Sequence, residues 1–264
     1  MKKKRVSLKD RKKRLRRGIY ILPNIFTSLN IFCGFYAVIA SIEQKFLPAA
    51  ISIIIAVVFD ALDGKIARAT NTTSKFGVEY DSLADLISFG LAPGVMMYLW
   101  ALKPFGRMGW LAAFLFMICG ALRLARFNTQ SGSSGNEYFV GLPIPAGAAM
   151  TATTVLFCSK FEISGSACHF VILIMLYMLS FLMVSTVKYS SFKKPELFKR
   201  MNFNVLVSVI LILIFIAAQP SIALFIIGLT YIISGPVFFL LRRKKAKQEL
   251  KISRIEKKHE SNSV

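Results

Sequence analysis

The stretch FDALDGKIARATNTTSKFGVEYDSLADLISFG, residues 59–90, places four aspartates at the facing ends of two apolar segments. Each apolar segment is long enough to cross a lipid bilayer as a helix. A turn between the two helices makes them antiparallel neighbours, so their adjoining ends meet at the same membrane face. The stretch therefore predicts a helical membrane protein with a cluster of carboxylates at the edge of the bilayer.

The composition of the 264-residue chain supports this interpretation, since 55% of the residues are hydrophobic and the formal net charge is +21. Few soluble domains contain so many apolar residues in runs of membrane-spanning length. The basic residues are concentrated in residues 1–17 and 242–258. Basic segments beside spanning helices mark the cytoplasmic face and contact anionic lipids. Neither segment contains a folded nucleic-acid-binding module, so we expect no nucleic-acid partner.

Apolar segments of spanning length occur eight times. They lie near residues 19–42, 47–68, 82–102, 109–127, 143–159, 168–187, 203–219 and 221–241. An even number of spans puts both basic ends on one side, together with the basic link 188–202, as the positive-inside rule requires. We therefore expect an all-α, polytopic integral membrane protein of the cell (inner) membrane, with about eight transmembrane helices and both termini cytoplasmic. The expected parts are a basic arm (1–18), a transmembrane catalytic domain (19–241) and a basic tail (242–264).

Helical spacing puts the residues of the aspartate-rich stretch on two stripes. The stripe on the first helix contains Asp60, Asp63, Gly64, Ala67 and Arg68. The stripe on the second helix contains Gly77, Asp81 and Asp85. Residues three, four, seven and eight positions apart share one face of an α-helix. The two helices can therefore point four carboxylates into one shared space.

Four converging carboxylates repel one another and are costly to remove from water, so a cation must compensate for their charge. Lys65 and Arg68 could neutralise part of it, but hard oxygen donors at this spacing suit one or two divalent ions, Mg²⁺ or Mn²⁺. Gly64 leaves room for a phosphate, and the planar guanidinium of Arg68 could donate two N–H groups to that phosphate. Ordinary interfacial charges would be scattered and would include more lysine and glutamate.

The spacing from Asp60 to Asp85, D-x2-D-G-x2-A-R-x8-G-x3-D-x3-D, resembles the signature of the CDP-alcohol phosphotransferases, integral membrane enzymes that build phospholipid head groups. Its eight fixed positions would match by chance on the order of 10⁻⁷ times per chain. Stretches at 22–37, 74–94, 123–128 and 141–146 resemble the bacterial phosphatidylserine synthase branch of the family. Starting at the third aspartate, residues 81–86 read DSLADL, whereas the glycerophosphate-accepting branch more often reads DPxADK there.

The resemblance implies transfer of a phosphatidyl group from CDP-diacylglycerol to the hydroxyl of L-serine, giving phosphatidylserine and CMP. It implies that Asp60, Asp63 and Asp81 bind the metal ion that holds the diphosphate. Asp85 would complete a second metal site and act as general base. The family positions that leave room for the nucleotide are matched here by Gly64, Ala67 and Gly77. A homodimer is a further expectation from the family.

Five polar residues outside the signature are candidates for substrate contacts. Asn24 and Thr27, at the start of the first span, could cap that helix or bind the nucleotide. Arg123 and Arg126 lie near the cytoplasmic end of the fourth span, where charges are costly. They either anchor the helix at the interface or bind the serine carboxylate or a lipid phosphate, with Asn128 assisting.

Other functions remain open at this stage. Related enzymes use glycerophosphate, inositol phosphate or choline as the acceptor, and intramembrane carboxylates also occur in cation transporters. A membrane scaffold that recruits acidic partners through its basic ends is a third class. The position of all four carboxylates at one face disfavours an ion path. His169 and His259 lie away from the cluster, which leaves an aspartate as the proton acceptor. Direct displacement and a covalent intermediate are both compatible with the pattern.

Overall fold

The computed structural model of the chain describes residues 8–70, 72, 74–130, 138–190, 214 and 217–239, with the backbone alone given for residues 8–22, 130, 138–140, 188 and 190. Within these residues the fold is a bundle of helices. The helices are α1 (Leu8–Ile42), α2 (Phe46–Ala69), α3 (Lys75–Asp85), α4 (Ala92–Met97), α5 (Arg107–Gln130), α6 (Ile144–Lys160), α7 (His169–Val184) and α8 (Pro220–Phe239). Two short strands, β1 (Tyr138–Val140) and β2 (Lys188–Ser190), pair antiparallel.

Five helical stretches of the described chain are long and apolar enough to cross a membrane. They are Pro23–Ile42, Phe46–Ala69, Lys75–Phe105, Arg107–Thr129 and Pro220–Phe239. The all-helical membrane fold is therefore confirmed. The count of eight spans stays a prediction. The expected spans at 143–159 and 168–187 correspond to α6 and α7, helices of 17 and 16 residues that are not among these five. The expected span at 203–219 and the basic tail fall almost wholly outside the described residues.

The first helix begins earlier than its apolar segment suggests. Helix α1 starts at Leu8 and continues through Pro23. A proline inside a helix lacks the N–H that would bond to the preceding turn, but α1 is not ended by Pro23. Because α1 starts at Leu8, Asn24 lies well inside the helix. The alternative that Asn24 caps the start of this helix is therefore wrong.

The third span also begins earlier than expected, at Lys75 rather than near residue 82. The Ser74 side chain caps it, because its Oγ accepts a hydrogen bond from the Gly77 N–H at 3.0 Å. Asp81 and Asp85 consequently lie in the second and third turns of α3. The helix widens into a π-helical segment at Leu86–Leu91, directly after Asp85. Such segments often occur at functional sites.

Helix α1 packs closely on the π-helical segment. A Cβ added to Gly34 would lie 2.4 Å from Ser88 Oγ and 2.7 Å from Ser88 Cα, so this approach requires a glycine. Ser88 is fully buried and donates its hydroxyl to the Asn30 carbonyl oxygen at 2.8 Å. Ser88, three residues after Asp85, is thus a packing residue. These contacts fix α1 against the helix that carries Asp85.

Helix α8 packs against the bundle at Tyr189 of strand β2. Tyr189 is fully buried, and a Cβ on Gly235 would lie 2.3 Å from its ring. The Tyr189 ring centroid is 5.5 Å from that of Tyr231 in α8. Tyr189 of β2 therefore contributes to the surface on which the last described helix docks.

Candidate functional site

The four aspartates of the sequence motif meet between α2 and α3. Asp60, Asp63 and Asp81 each offer a carboxylate oxygen, and the three oxygens lie within 4.8 Å of one another. The Asp85 carboxyl group lies within electrostatic range of the carboxyl groups of Asp60, Asp81 and Asp63. The structure thus brings all four carboxylates together, two from each helix.

The burial of this cluster fits a bound cation. Asp63 and Asp85 are only 4% and 8% exposed, and Oδ1 of Asp81 is buried without a hydrogen-bond partner among the described residues. Buried carboxylates are stable only when charges or donors compensate for them. Three convergent carboxylate oxygens form a ligand set that suits a hard divalent ion such as Mg²⁺ or Mn²⁺. The residues present therefore fit a divalent metal ion.

Helix α1 supports two of the four carboxylates. The Thr27 hydroxyl lies 2.9 Å from Asp63 Oδ2, and Asn30 Nδ2 donates to Asp85 Oδ1 at 3.5 Å. Both side chains are buried. Thr27 is a candidate for nucleotide binding from its sequence position, whereas Asn30 belongs to none of the motifs quoted above. A polar residue three positions after Thr27, on the same face of an apolar helix, is the signal that could have identified Asn30.

The other residues considered for nucleotide binding surround this cluster. A Cβ on Gly64 would lie 3.6 Å from Arg68 Nη2, so these two residues are adjacent on α2. A Cβ on Gly77 would lie 3.8 Å from Asn24 Oδ1, which places Gly77 opposite α1. Arg68 is exposed and Ala67 is partly buried. Binding of the nucleotide by these residues stays a prediction.

Direct ion pairs do not neutralise the aspartates within the described part of the chain. The ion pair recorded there joins Lys45 to Glu43 at 2.8 Å, in the link between α1 and α2. Lys65 is exposed. Arg68 lies within electrostatic range of Asp60 and Asp63 without contacting them. The larger part of the compensating charge must therefore come from another source.

Of the three candidate residues on α5, Arg123 lies nearest to the cluster. Its guanidinium group is within electrostatic range of Asp60 and Asp85, and its buried Nε has no hydrogen-bond partner among the described residues. Asn128 Nδ2 donates instead to Ser82 Oγ at 2.9 Å, which ties α5 to α3. Arg126 is partly buried, three residues after Arg123. Arg123 is therefore the better placed of the two arginines to bind an anionic group beside the carboxylates.

Tyr231 of α8 also lies near the Arg123 guanidinium group. Tyr231 could not be predicted as a neighbour of Arg123, because it belongs to no motif and lies far from Arg123 along the chain. Only the packing of α8 brings it to this part of the bundle.

His169 lies far from the carboxylates, as expected. It begins α7, its Nδ1 contacts the Ser166 carbonyl oxygen, and its ring centroid is 5.2 Å from that of Phe105. Phe105 ends the helical stretch whose opposite end carries Asp81 and Asp85. His259 falls outside the described residues.

Comparisons with known proteins agree with this geometry. The model of the CDP-alcohol phosphatidyltransferase family matches residues 20–184, a range that includes the four aspartates and Arg123. The chain is 38% identical over 222 residues to the CDP-diacylglycerol–serine O-phosphatidyltransferase of Helicobacter pylori, across 84% of this chain and 92% of that protein. A protein of the same name from Methanocaldococcus jannaschii is 34% identical over 177 residues, across 67% and 77%. The archaetidylserine synthase of Methanothermobacter thermautotrophicus is 36% identical over 170 residues, across 64% and 69%.

Proposed function

Since the chain belongs to the CDP-alcohol phosphatidyltransferase family, we propose that it transfers the phosphatidyl group of CDP-diacylglycerol to the hydroxyl of L-serine. The products are phosphatidylserine and CMP. The observation that carries this proposal is the convergence of three carboxylate oxygens within 4.8 Å at adjoining ends of two membrane-spanning helices. The names of the bacterial and archaeal relatives support serine as the acceptor.

The position of the cluster suits a lipid donor and a water-soluble acceptor. Asp63 lies near the end of α2, and Asp81 lies in the second turn of α3. A lipid could reach this level from the bilayer, and serine could reach it from the aqueous side. We place the active site at the cytoplasmic face of the inner membrane, where basic residues of both chain ends would contact anionic lipids.

Asp60, Asp63 and Asp81 would hold one divalent ion, Mg²⁺ or Mn²⁺, and Asp85 would complete a site for a second. When bound, such ions would neutralise the diphosphate of the donor and stabilise the charge on departing CMP. Thr27 keeps Asp63 oriented through the contact with its Oδ2. The metal would replace the ion pairs that the described part of the chain does not form around these carboxylates.

In the reaction, the serine hydroxyl oxygen forms a bond to the phosphatidyl phosphorus, and the bond from that phosphorus to the CMP oxygen breaks. The hydroxyl proton passes to a carboxylate oxygen of Asp85, which acts as general base. Arg123 donates N–H groups of its planar guanidinium to the serine carboxylate or to the lipid phosphate, and Arg126 assists. Asn128, whose Nδ2 donates one N–H to Ser82 Oγ, assists with its second N–H. Gly64, Ala67 and Gly77 leave space for the nucleotide. The polar residues proposed to bind the nucleotide are Asn24, Thr27 and Arg68.

Purified protein in lipid vesicles, supplied with CDP-diacylglycerol and a panel of acceptors, tests this function. The panel contains L-serine, glycerophosphate, inositol phosphate, choline and no acceptor, and the readouts are released CMP and the mass of the lipid product. We expect release of CMP and formation of phosphatidylserine when the acceptor is L-serine, and no lipid product with any other acceptor of the panel. Product with a different acceptor would assign another branch of the family, and an absence of CMP under all conditions would refute the proposal.

A further inference from the structure

Asn30 is a polar residue in the middle of an apolar span. It lies in the stretch Pro23–Ile42 and is fully buried. Its Nδ2 contacts Asp85 Oδ1 at 3.5 Å, whereas its Oδ1 is buried without a hydrogen-bond partner among the described residues. A buried, unpaired carbonyl oxygen destabilises the folded state. An apolar side chain of similar size would avoid that cost, so stability alone does not account for an asparagine at this position.

The orientation of the Asn30 amide follows from its neighbour. If the amide were turned over, Oδ1 would face the Asp85 carboxylate, and two acceptors would oppose each other. With Nδ2 toward Asp85, one N–H of the amide can bond to the carboxylate. The amide therefore restricts the rotation of the Asp85 side chain.

The backbone of Asn30 is fixed to the same helical stretch that carries Asp85. Its carbonyl oxygen accepts the Ser88 hydroxyl at 2.8 Å, and Ser88 follows Asp85 by three residues. Gly34, one turn further along α1, allows Ser88 to approach this closely. Asn30 is thus held at its backbone by one residue of this stretch while its side chain holds another.

We propose that Asn30 is a positioning residue that holds the Asp85 carboxylate in the orientation needed to receive the proton of the acceptor hydroxyl. This inference rests on the proposed function, because Asn30 acts only through Asp85. A general base must lie within hydrogen-bond reach of the proton it removes, and a free carboxylate samples several rotamers. Removing a side chain that orients an active-site group typically lowers activity about 10–100-fold.

A double-mutant cycle on the full-length protein in vesicles tests the coupling. Asn30→Leu keeps a similar volume and removes the amide, so we expect kcat to fall about 10–100-fold with the KM for CDP-diacylglycerol unchanged. In an Asp85→Asn background, Asn30→Leu should change the residual rate less than about twofold, because the group that it positions has already lost its function. Residual rates are followed with radiolabelled serine. Equal loss in both backgrounds would show a purely structural role and overturn the proposal.

Two further variants keep the experiment decisive. Asn30→Ala removes the amide and adds neither a donor nor a charge, so it should resemble Asn30→Leu and decides the question if the leucine variant does not fold. Ser41→Ala is the matched control, because Ser41 is another buried polar residue of α1 and its hydroxyl donates to the Ala37 carbonyl oxygen of the same helix, at 2.6 Å. Its kcat should stay within about twofold of wild type.

The wild-type protein separates failure of this inference from failure of the proposed function. Absence of serine-dependent CMP release by the wild type would refute the proposed function. An active wild type accompanied by a folded Asn30→Ala variant of equal kcat would overturn the role of Asn30 alone.

Discussion

Thr27 in the first helix places its hydroxyl 2.9 Å from Oδ2 of Asp63 in the second helix, and both side chains are buried. Asn30, three residues further along α1, bonds to Asp85 of the third span. One face of α1 therefore supports a carboxylate from each of the two helices that form the cluster. The first span thus contributes to the candidate site without supplying a carboxylate of its own.

Replacement of Thr27 by valine should weaken metal binding. Valine has a similar shape but cannot bond to Asp63, so the carboxylate loses the contact that orients it. We expect the Mg²⁺ concentration for half-maximal activity to rise about 10–100-fold, with most of kcat recovered at saturating Mg²⁺. Thr27→Ser, which keeps the hydroxyl, is the matched control. An unchanged Mg²⁺ dependence in Thr27→Val would show that the bond to Asp63 has no part in metal binding.

Removal of divalent ions should abolish activity, and Mg²⁺ or Mn²⁺ should restore it. Metal that binds only the folded protein should also raise Tm, because ligand binding stabilises the native state by mass action. Asp81→Asn should lose this shift, since Asp81 Oδ1 is a buried oxygen without another partner in the described chain. Full activity after exhaustive EDTA treatment, together with a Tm that does not respond to Mg²⁺, would contradict the metal assignment.

The carboxylate cluster could be predicted because it depends on local rules. Helical periodicity fixes which residues of α2 and α3 share a face, and the short link after Thr70 brings the two helix ends together. The signature from Asp60 to Asp85 lies almost entirely within these two helices. Nothing about the packing of distant helices was needed to place its residues.

The contributions of other helices depend on packing that the sequence pattern does not specify. The contact of Asn30 with Asp85 requires the close approach of Gly34 to Ser88, which depends on how α1 is rotated and shifted against its neighbour. Hydropathy also misplaced the start of the third span, because the cap at Ser74 initiates α3 before the apolar residues begin. The nearness of Tyr231 to Arg123 similarly arises from the docking of α8.

The two arginines of α5 should differ in their effects on substrate binding. Arg123→Ala should raise the KM for serine or for CDP-diacylglycerol, since loss of a charge-assisted hydrogen bond costs about 1.5–3 kcal/mol. Arg123→Lys keeps the positive charge but lacks the planar guanidinium that donates two hydrogen bonds. Its KM should therefore lie between those of the wild type and Arg123→Ala. Arg126→Ala, further from the carboxylates, should have the smaller effect. If both alanine variants have wild-type kinetics, the arginines serve only as interfacial anchors.

The orientation of the chain can be tested without enzymology. In a variant that lacks Cys33, Cys119, Cys158 and Cys168, single cysteines would be placed one at a time. Cysteines at Ser134 and Lys193, which fall outside the described residues, should react only from the cytoplasmic side. A cysteine at Ser164, between α6 and α7, should react from the other side, because α6 separates it from residue 134. Reaction of positions 134 and 164 from the same side would contradict the predicted topology.

Asp85 should differ from the other aspartates in its response to metal. Asp→Asn keeps the size of the side chain but removes its charge and basicity. At Asp60, Asp63 or Asp81 the change should weaken metal binding, so high Mg²⁺ or Mn²⁺ should recover part of the rate.

At Asp85 the same change also removes the proton acceptor, which added metal cannot replace. General-base catalysis typically contributes about 10²–10⁴-fold, so kcat of Asp85→Asn should fall by that factor at every metal concentration. Binding of CDP-diacylglycerol should remain nearly intact, because the other three aspartates would hold the metal that binds the diphosphate. An Asp85→Asn protein whose kcat returns to the wild-type value at high Mg²⁺ would show that Asp85 is a metal ligand only. The proton would then have to pass to another group or to water.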